Sequence, residues 1–253
     1  MLRYWREGAP VPLARKKFRK KKKQASIKIR VFGILFDLLL IFLALTVIPV
    51  LTYRVINPPA TLLLWIRWAE SGYEESRSTS LKHWKSLDQI SPNLVRAVVA
   101  AEDQKFFYHD GFDWQAIEGA IKANLFKDRT IGASTISMQT ARNVFLWQKR
   151  NWLRKSLEAW FTILIEFIWT KERILEVYLN VIEWGDNLFG CESASLHYFK
   201  HSSETLSPVE AASMASVLPS PRYWSVVNPQ PHVFDRQSKI LKAMNEIRIP
   251  IRY

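Results

Sequence analysis

The 253 residues are 48% hydrophobic and 23% charged, too apolar for a chain that stays unfolded, and their single cysteine excludes a scaffold of intrachain disulfides. The net charge of +13 is not spread evenly: residues 1–30 hold twelve Lys or Arg against one acid, Glu7, and the remainder holds 24 basic against 22 acidic side chains. The basic character belongs to a tail, RKKFRKKKK, and not to a body shaped for nucleic acid.

Directly after this tail, VFGILFDLLLIFLALTVIPVLTY (residues 31–53) carries one charge, Asp37, between Arg30 and Arg54. Its 23 residues exceed the roughly 20 that cross a bilayer as a helix. A cleaved signal peptide would have an apolar region of about 7–15 residues and a small-x-small site. LTVIPVLTY offers no such site, so the run reads as an uncleaved anchor. Basic residues stay cytoplasmic, which places everything after Tyr53 outside the cytoplasmic membrane. For the tail, orientation and contact with anionic lipid are simpler explanations than nucleic-acid binding. Asp37 receives no role.

Asn57-Pro58-Pro59 breaks the helix after the membrane. TLLLWIRWAE (61–70) is too short to span and reads either as a core helix or as an interfacial one. SGYEESRSTS (71–80) reads as a polar connector. ISPNLVRAVVA predicts a helix: Ser91 caps it, Pro92 suits the first position, and Leu94, Val95 and Val98 share a face. This helix runs into Glu102 and Asp103, although acidic residues are disfavoured at a helix C-terminus. Phe106, Phe107 and Tyr108 follow and should draw the pair into apolar surroundings, where a carboxylate must be paired or used.

NWLRKSLEAWFTILIEFIWTKERILEVYLN (151–180) has no Gly or Pro and is read as one long helix. Its apolar centre, AWFTILIEFIW, is 11 residues, which favours burial over a second span. LSPVEAASMASVLP predicts another helix, with Ser207 as cap, Pro208 at the first position, Glu210 completing a capping box and Pro219 ending it. Strand alternation is scarce. The expected architecture is a mainly α domain wrapped around the 151–180 helix. Cys191, His197 and His201 resemble a zinc pattern only faintly, since a fourth ligand at recognisable spacing is missing and the two histidines, four apart, should share an exposed helix face.

Three clusters carry candidate chemistry. The first is Glu102-Asp103 with Phe106, His109, Gly111 and Asp113. In the second, GASTISMQTARN, Ser134 and Thr135 begin a helix whose free backbone N–H groups suit phosphate oxygens, and Gln139, Arg142 and Asn143 follow about a turn later. In the third, RKSLE, Arg154 and Glu158 share a face with Lys155 beside them, as a functional group or as an ordinary surface pair. Two carboxylates with a sugar between them serve glycosyl chemistry. A hydrolase needs water as nucleophile, whereas a transferase needs a base for an acceptor hydroxyl and cations for an anionic leaving group. The cations favour the second, and a membrane anchor suits a lipid substrate.

With these residues, the chain resembles the monofunctional peptidoglycan glycosyltransferase family, whose domain also occurs in class A penicillin-binding proteins. The resemblance covers about residues 81–229. EDQKFFYHDGFD, GASTISMQ, RKSLE with KERILEVYLN, EWGDNLFGCESASLHYF and SPVEAASMASVLPSPRYW stand in the family's order. One departure is Met138 before Gln139, where members usually carry two glutamines.

The resemblance implies a lysozyme-like, mainly α fold with one N-terminal transmembrane helix and a small mobile lobe against the membrane. The expected organisation is a basic cytoplasmic tail (1–30), an anchor (31–53), a juxtamembrane segment and connector (54–80) and a glycosyltransferase domain (81–245) on the periplasmic side of the inner membrane. It implies that Glu102 is the general base toward the acceptor GlcNAc 4-hydroxyl, with inversion at the donor MurNAc and departure of undecaprenyl diphosphate. Burial against the aromatics would raise the carboxyl pKa of Glu102 and suit it to that task. Glu158, Arg154 and Lys155 would position the diphosphate, a divalent cation, or both. Ser134, Thr135, Gln139, Arg142 and Asn143 would line the donor side, and Asp103, Phe106 and His109 would hold Glu102. The residues alone leave the two glutamates interchangeable. Any Mg2+ or Mn2+ would be held largely by substrate phosphates, without a cage of protein ligands or an organic cofactor. The implied partners are lipid II, the nascent glycan strand, the membrane and cell-wall synthesis or division proteins. No S-x-x-K nucleophile occurs and the chain ends soon after the last motif, so no transpeptidase is expected. The rival readings are a lysozyme-like lytic enzyme acting on finished glycan and an inactive membrane scaffold.

Overall fold

The structure, a computed structural model, describes residues 14–70, 83–126, 132–149 and 151–250. The connector predicted over 71–80 and the first residues of the basic tail lie outside the described residues. The chain forms two compact units, Met1–Pro49 and Val50–Tyr253. Helix α1 (Ala14–Tyr53) contains Ile29–Tyr53, 25 residues long and apolar enough to cross a membrane. At ~1.5 Å per residue this stretch reaches about 37 Å, more than the ~30 Å hydrocarbon core of a bilayer. Phe32, Leu35, Leu39, Leu45 and Ile48 are exposed along it, as side chains facing lipid would be. One helix of this kind fits a single-pass membrane anchor.

The second unit begins by fastening the chain that leaves α1. Trp169 donates its indole N–H to the Val50 carbonyl at 2.7 Å. The Arg173 guanidinium donates to the Tyr53 carbonyl at 3.0 and 2.9 Å, to the Ile56 carbonyl at 3.0 Å and to Asn57 Oδ1 at 2.9 Å. Carbonyls at a helix C-terminus have no partner within the helix, and a cation there also meets the negative end of the dipole. Helix α2 (Leu62–Glu70) follows. It buries Leu63 and Leu64 with Phe189 and leaves Trp65 59% exposed, so one face is core and the other open.

Helix α3 (Pro92–Glu102) starts as predicted, with Ser91 Oγ accepting from the Asn93 N–H at 3.2 Å and Pro92 in the first turn. Leu94, Val95, Ala97, Val98 and Val99 are all fully buried, so α3 is buried on more than one face. Helix α4 (Trp114–Phe126) is preceded by Asp113, which accepts from the Ala116 N–H at 2.9 Å. Helix α5 (Ile136–Phe145) follows the GAST segment.

The single long helix predicted over 151–180 is two: α6 (Trp152–Ile168) and α7 (Lys171–Val181). Neither Gly nor Pro makes the break. Thr170 accepts from the Arg173 N–H at 3.2 Å and so caps a new helix, while Trp169 turns extended with its ring buried and its indole committed to Val50. A two-stranded antiparallel ribbon, β1 (Glu183–Gly185) and β2 (Leu188–Phe189), turns at Asp186-Asn187, with Asn187 at φ 56°. Helix α8 (Cys191–Phe199) buries Cys191. His201 lies past the end of α8 and bonds Glu210 Oε1 at 3.0 Å, so the expected helix face shared with His197 does not form. Helix α9 (Pro208–Ser216) carries the predicted capping box and ends three residues before Pro219. Helix α10 (Pro231–Ala243), which the sequence reading did not single out, closes the domain.

Two sets of helices make the core. In one, α3 packs on α9 and α10; in the other, α5 packs on α6 and α7. Ala211, Ala212 and Ala215 of α9 and Ala97 of α3 are fully buried, and small side chains there let two backbones approach closely. The C-terminal end of α3 meets α5 where these two sets adjoin.

Candidate active site

The first motif folds into a loop held by one buried carboxylate. Asp103 ends α3, and its oxygens lie 3.0 Å from His109 Nε2. The Gly111 N–H donates to His109 Nδ1 at 3.2 Å, so Nδ1 is the acceptor and Nε2 carries the proton toward Asp103. Gly111 sits at φ +88°, and a Cβ there would come within 2.8 Å of Thr162 Cγ2, so only glycine fits. The Gly111 carbonyl accepts from the Thr135 hydroxyl at 2.6 Å, which ties the loop to the start of α5. Phe106 is fully buried under this loop, with Lys171 Nζ 4.6 Å from its ring centre.

The start of α5 corrects an expectation. Two of its first amides are taken by the chain itself. Asp103 Oδ2 accepts from the Ile136 N–H at 3.0 Å, and Thr135 Oγ1 accepts from the Met138 N–H at 3.2 Å. A helix N-terminus favours an anion, and here the chain supplies its own.

Glu102 is the last residue of α3, with 13% of its side chain exposed. Its Oε2 accepts from Gln139 Nε2 at 2.9 Å, and its Oε1 accepts from Arg236 Nη2 at 2.9 Å. Gln139 is itself held by the Tyr178 hydroxyl, which donates to its Oε1 at 3.0 Å. Four helices therefore converge: the acid from α3, the amide from α5, the phenol from α7 and the guanidinium from α10. Burial raises the Glu102 carboxyl above its ordinary range, and the Gln139 hydrogen bond and the charges of Arg236 and Arg142 partly offset this. The Tyr178 phenol is pushed well up, first by burial and then by the Glu102 charge, so it stays a proton donor. The aromatic run does not wrap Glu102 as expected: Phe106 turns into the core edge-on to Phe107, and Tyr108 is 73% exposed.

Glu158 is in a different setting. Only 1% of its side chain is exposed, and its two oxygens pair with Arg154 Nη1 at 2.5 Å and Lys155 Nζ at 2.6 Å. The surface-pair reading of this cluster is overturned, because Arg154 is 8% exposed in its side chain as well. Both carboxylate oxygens of Glu158 are thus engaged by cations of its own helix. Among the described residues no group of three His, Cys, Asp or Glu side chains is placed to hold a metal ion.

Two clefts adjoin at Glu102 and Ser134. The larger, about 420 Å³, is lined by Glu102, Ser134, Gln139, Arg142, Asn143 and Arg154, with Gln148, Tyr178 and Glu183 also on its wall. Arg142 and Arg154 each keep a buried Nε–H without a protein partner. The smaller, about 240 Å³, is lined by Glu102, Asp103, Gln104, Lys105, Asp113 and residues 132–135. Of the residues named from sequence, Phe106, His109, Lys155 and Glu158 line neither cleft. They stand behind the walls, the first two bracing the Asp103 loop and the last two bracing Arg154.

Sequence reasoning missed Arg236, Tyr178, Gln148 and Glu183. Tyr178 and Glu183 stand inside KERILEVYLN and EWGDNLFG, where a second polar group close to an apolar helix face was a usable signal. Arg236 had none, being one cation among several on an amphipathic helix.

The family model described as Transglycosylase matches residues 71–245. A protein named biosynthetic peptidoglycan transglycosylase from Bdellovibrio bacteriovorus is 50% identical over 195 residues, 77% of this chain and 78% of its own length. One of the same name from Xanthomonas campestris pv. campestris is 46% identical over 212 residues, 83% of this chain and 86% of its own. Another, from Pseudomonas aeruginosa, is 45% identical over 213 residues, 84% of this chain and 92% of its own.

Proposed function

The chain belongs to the peptidoglycan transglycosylase family of glycosyltransferases, and from that premise we propose that it polymerises lipid II into glycan strands. The observation that carries the reading is Glu102, a buried carboxylate on the wall common to two clefts, one of which also presents Arg142 and Arg154. The larger cleft takes the lipid-linked donor, whose diphosphate meets the two arginines; the smaller takes the acceptor sugar.

Glu102 accepts the proton of the acceptor GlcNAc 4-hydroxyl. That oxygen forms a bond to the anomeric carbon of the donor MurNAc from the face opposite the leaving group, and the bond from that carbon to the phosphate oxygen breaks. Undecaprenyl diphosphate leaves with the electron pair, and the configuration inverts. Gln139 keeps one Glu102 oxygen in place, and Tyr178 keeps Gln139 in place. Glu158 acts through Arg154 and Lys155, holding both cations where the leaving group develops charge. Any divalent ion is carried by the substrate's phosphates, and no step above passes through it.

The apolar helix supports a single-pass anchor in the inner membrane, with the N-terminus cytoplasmic and the enzyme domain periplasmic. The lack of any S-x-x-K supports a protein without transpeptidase activity, and labelling by a fluorescent β-lactam would contradict it. The function is tested with detergent-purified protein and labelled lipid II, products being resolved on a gel beside Glu102→Gln. A lysozyme-sensitive ladder from the wild type alone is expected. Fragments released from finished cell wall, with no ladder, would contradict the reading and support a lytic enzyme.

A further inference from the structure

We propose that Arg236 is a positioning residue for the general base: its guanidinium holds the Glu102 carboxylate ionised and aimed, and so sets the pH range in which the enzyme works. The inference rests on Glu102 being the base.

The geometry is specific. Arg236 reaches from α10 to the end of α3, where its Nη2 donates to Glu102 Oε1 at 2.9 Å and to the Ala101 carbonyl at 3.1 Å. One nitrogen thus meets the acid and a last-turn carbonyl of the same helix, both of them negative. This resolves an oddity of the sequence, an acidic residue at a helix C-terminus: the cation that makes it tolerable comes from a helix 134 residues away. With Gln139 on the other oxygen, each carboxylate oxygen has one donor from an opposite wall, so the group cannot rotate freely. Arg236 also keeps its Nε buried without a protein partner, a cost that packing alone gives no reason to bear.

The charged and titratable groups nearest Glu102 are Arg236 from α10, Arg142 from α5, Tyr178 from α7 and Asp103, its neighbour in the chain, while Arg154, Glu183, Arg222, Lys105 and Asp113 stand on the walls of its two clefts. Tyr178 stays neutral in the working range, and Asp103 is engaged with His109 and Ile136. Arg142 acts on Glu102 by charge, and among the described residues only Arg236 combines charge with a hydrogen bond to the carboxylate. Burial opposes ionisation and Arg236 favours it. Removing the cation while keeping the burial leaves Glu102 protonated over a wider pH range, and a protonated carboxyl cannot accept the acceptor's proton.

The test is the pH dependence of kcat/KM for lipid II polymerisation between pH 5.5 and pH 9.5, with the full-length protein in detergent. Wild type, Arg236→Lys, Arg236→Met and Glu102→Gln are compared, each checked for native circular dichroism. In Arg236→Met the acid limb is expected to move up by about one pH unit or more. That is up to about a tenfold loss on the acid limb, recovered at the alkaline end of the profile. Arg236→Lys keeps the charge and is expected to return the limb most of the way to its wild-type position. A uniform loss at every pH without movement of the limb, or a profile identical to wild type, would overturn the inference. If Arg236→Met does not fold, Arg236→Gln carries the same test, and failure of every neutral replacement to fold would show a purely structural residue. An active Glu102→Gln would instead bring down the proposed base itself.

Discussion

Two glutamates on two helices, one at the end of α3 and one inside α6, show how setting decides what a carboxylate can do. Glu102 closes α3 against a neutral amide and one arginine, beside open clefts, and burial lifts its carboxyl above the ordinary range. Glu158 lies in the second turn of α6 with both oxygens on cations and almost no exposed surface. The first is poised to take up a proton, and the second is spent on holding Arg154 and Lys155. Under the proposed mechanism the same residue type serves as reagent in one region and as scaffold for charge in the other.

The largest expected effect separates them by activity. Glu102→Gln should lose about 10²–10⁴-fold in polymerisation rate, the usual worth of a positioned base, while keeping its fold. Stability should separate them in the opposite sense. Glu158→Gln leaves Arg154 buried beside a neutral amide, and denaturant unfolding should show a loss of about 3–5 kcal/mol. For Glu102 the sign is reversed. Its folded carboxyl is raised above its unfolded value, so the stability it contributes is present below the unfolded pKa and is lost as pH rises through the folded one. Glu102→Gln should therefore show no loss of Tm at pH 8, and a flatter stability profile from pH 4.5 upward than the wild type.

Smaller effects sharpen the contrast. Gly111→Ala sets a Cβ against Thr162 at a left-handed backbone position and should cost about 1–3 kcal/mol, with a matching loss of order in the Asp103–His109 loop. Tyr178→Phe removes the donor to Gln139 and should cost about 1 kcal/mol and a few-fold in rate, without moving Glu158 or its cations. Hydrogen exchange of the α3 and α6 termini would report which region each change loosens.

Much of this was legible in the chain. Capping residues announced α3 and α9, because a Ser before Pro leaves few other local structures. The motif loops placed Glu102, Gln139, Arg142 and Arg154 near one another by resemblance, and the larger cleft does gather them. Three features escaped for physical reasons. The break at Trp169-Thr170 is marked in the sequence only by the Thr170 cap, and the tertiary bond that accompanies it, from the Trp169 indole to Val50 119 residues away, is encoded by no local pattern. The start of α5 looked like an open anion site because the anion that fills it, Asp103, lies 33 residues earlier. Arg236 went unnoticed because its partners are brought to it only when α10 docks on α3.

In the proposed mechanism Glu102 reacts and Glu158 supports. It is tested most directly by measuring the single-turnover rate on lipid II and the unfolding free energy of the same two preparations, Glu102→Gln and Glu158→Gln. The first is expected to lose its rate and keep its stability, while the second loses about 3–5 kcal/mol of stability whatever remains of its rate. A Glu102→Gln protein that elongates glycan at the wild-type rate would contradict it.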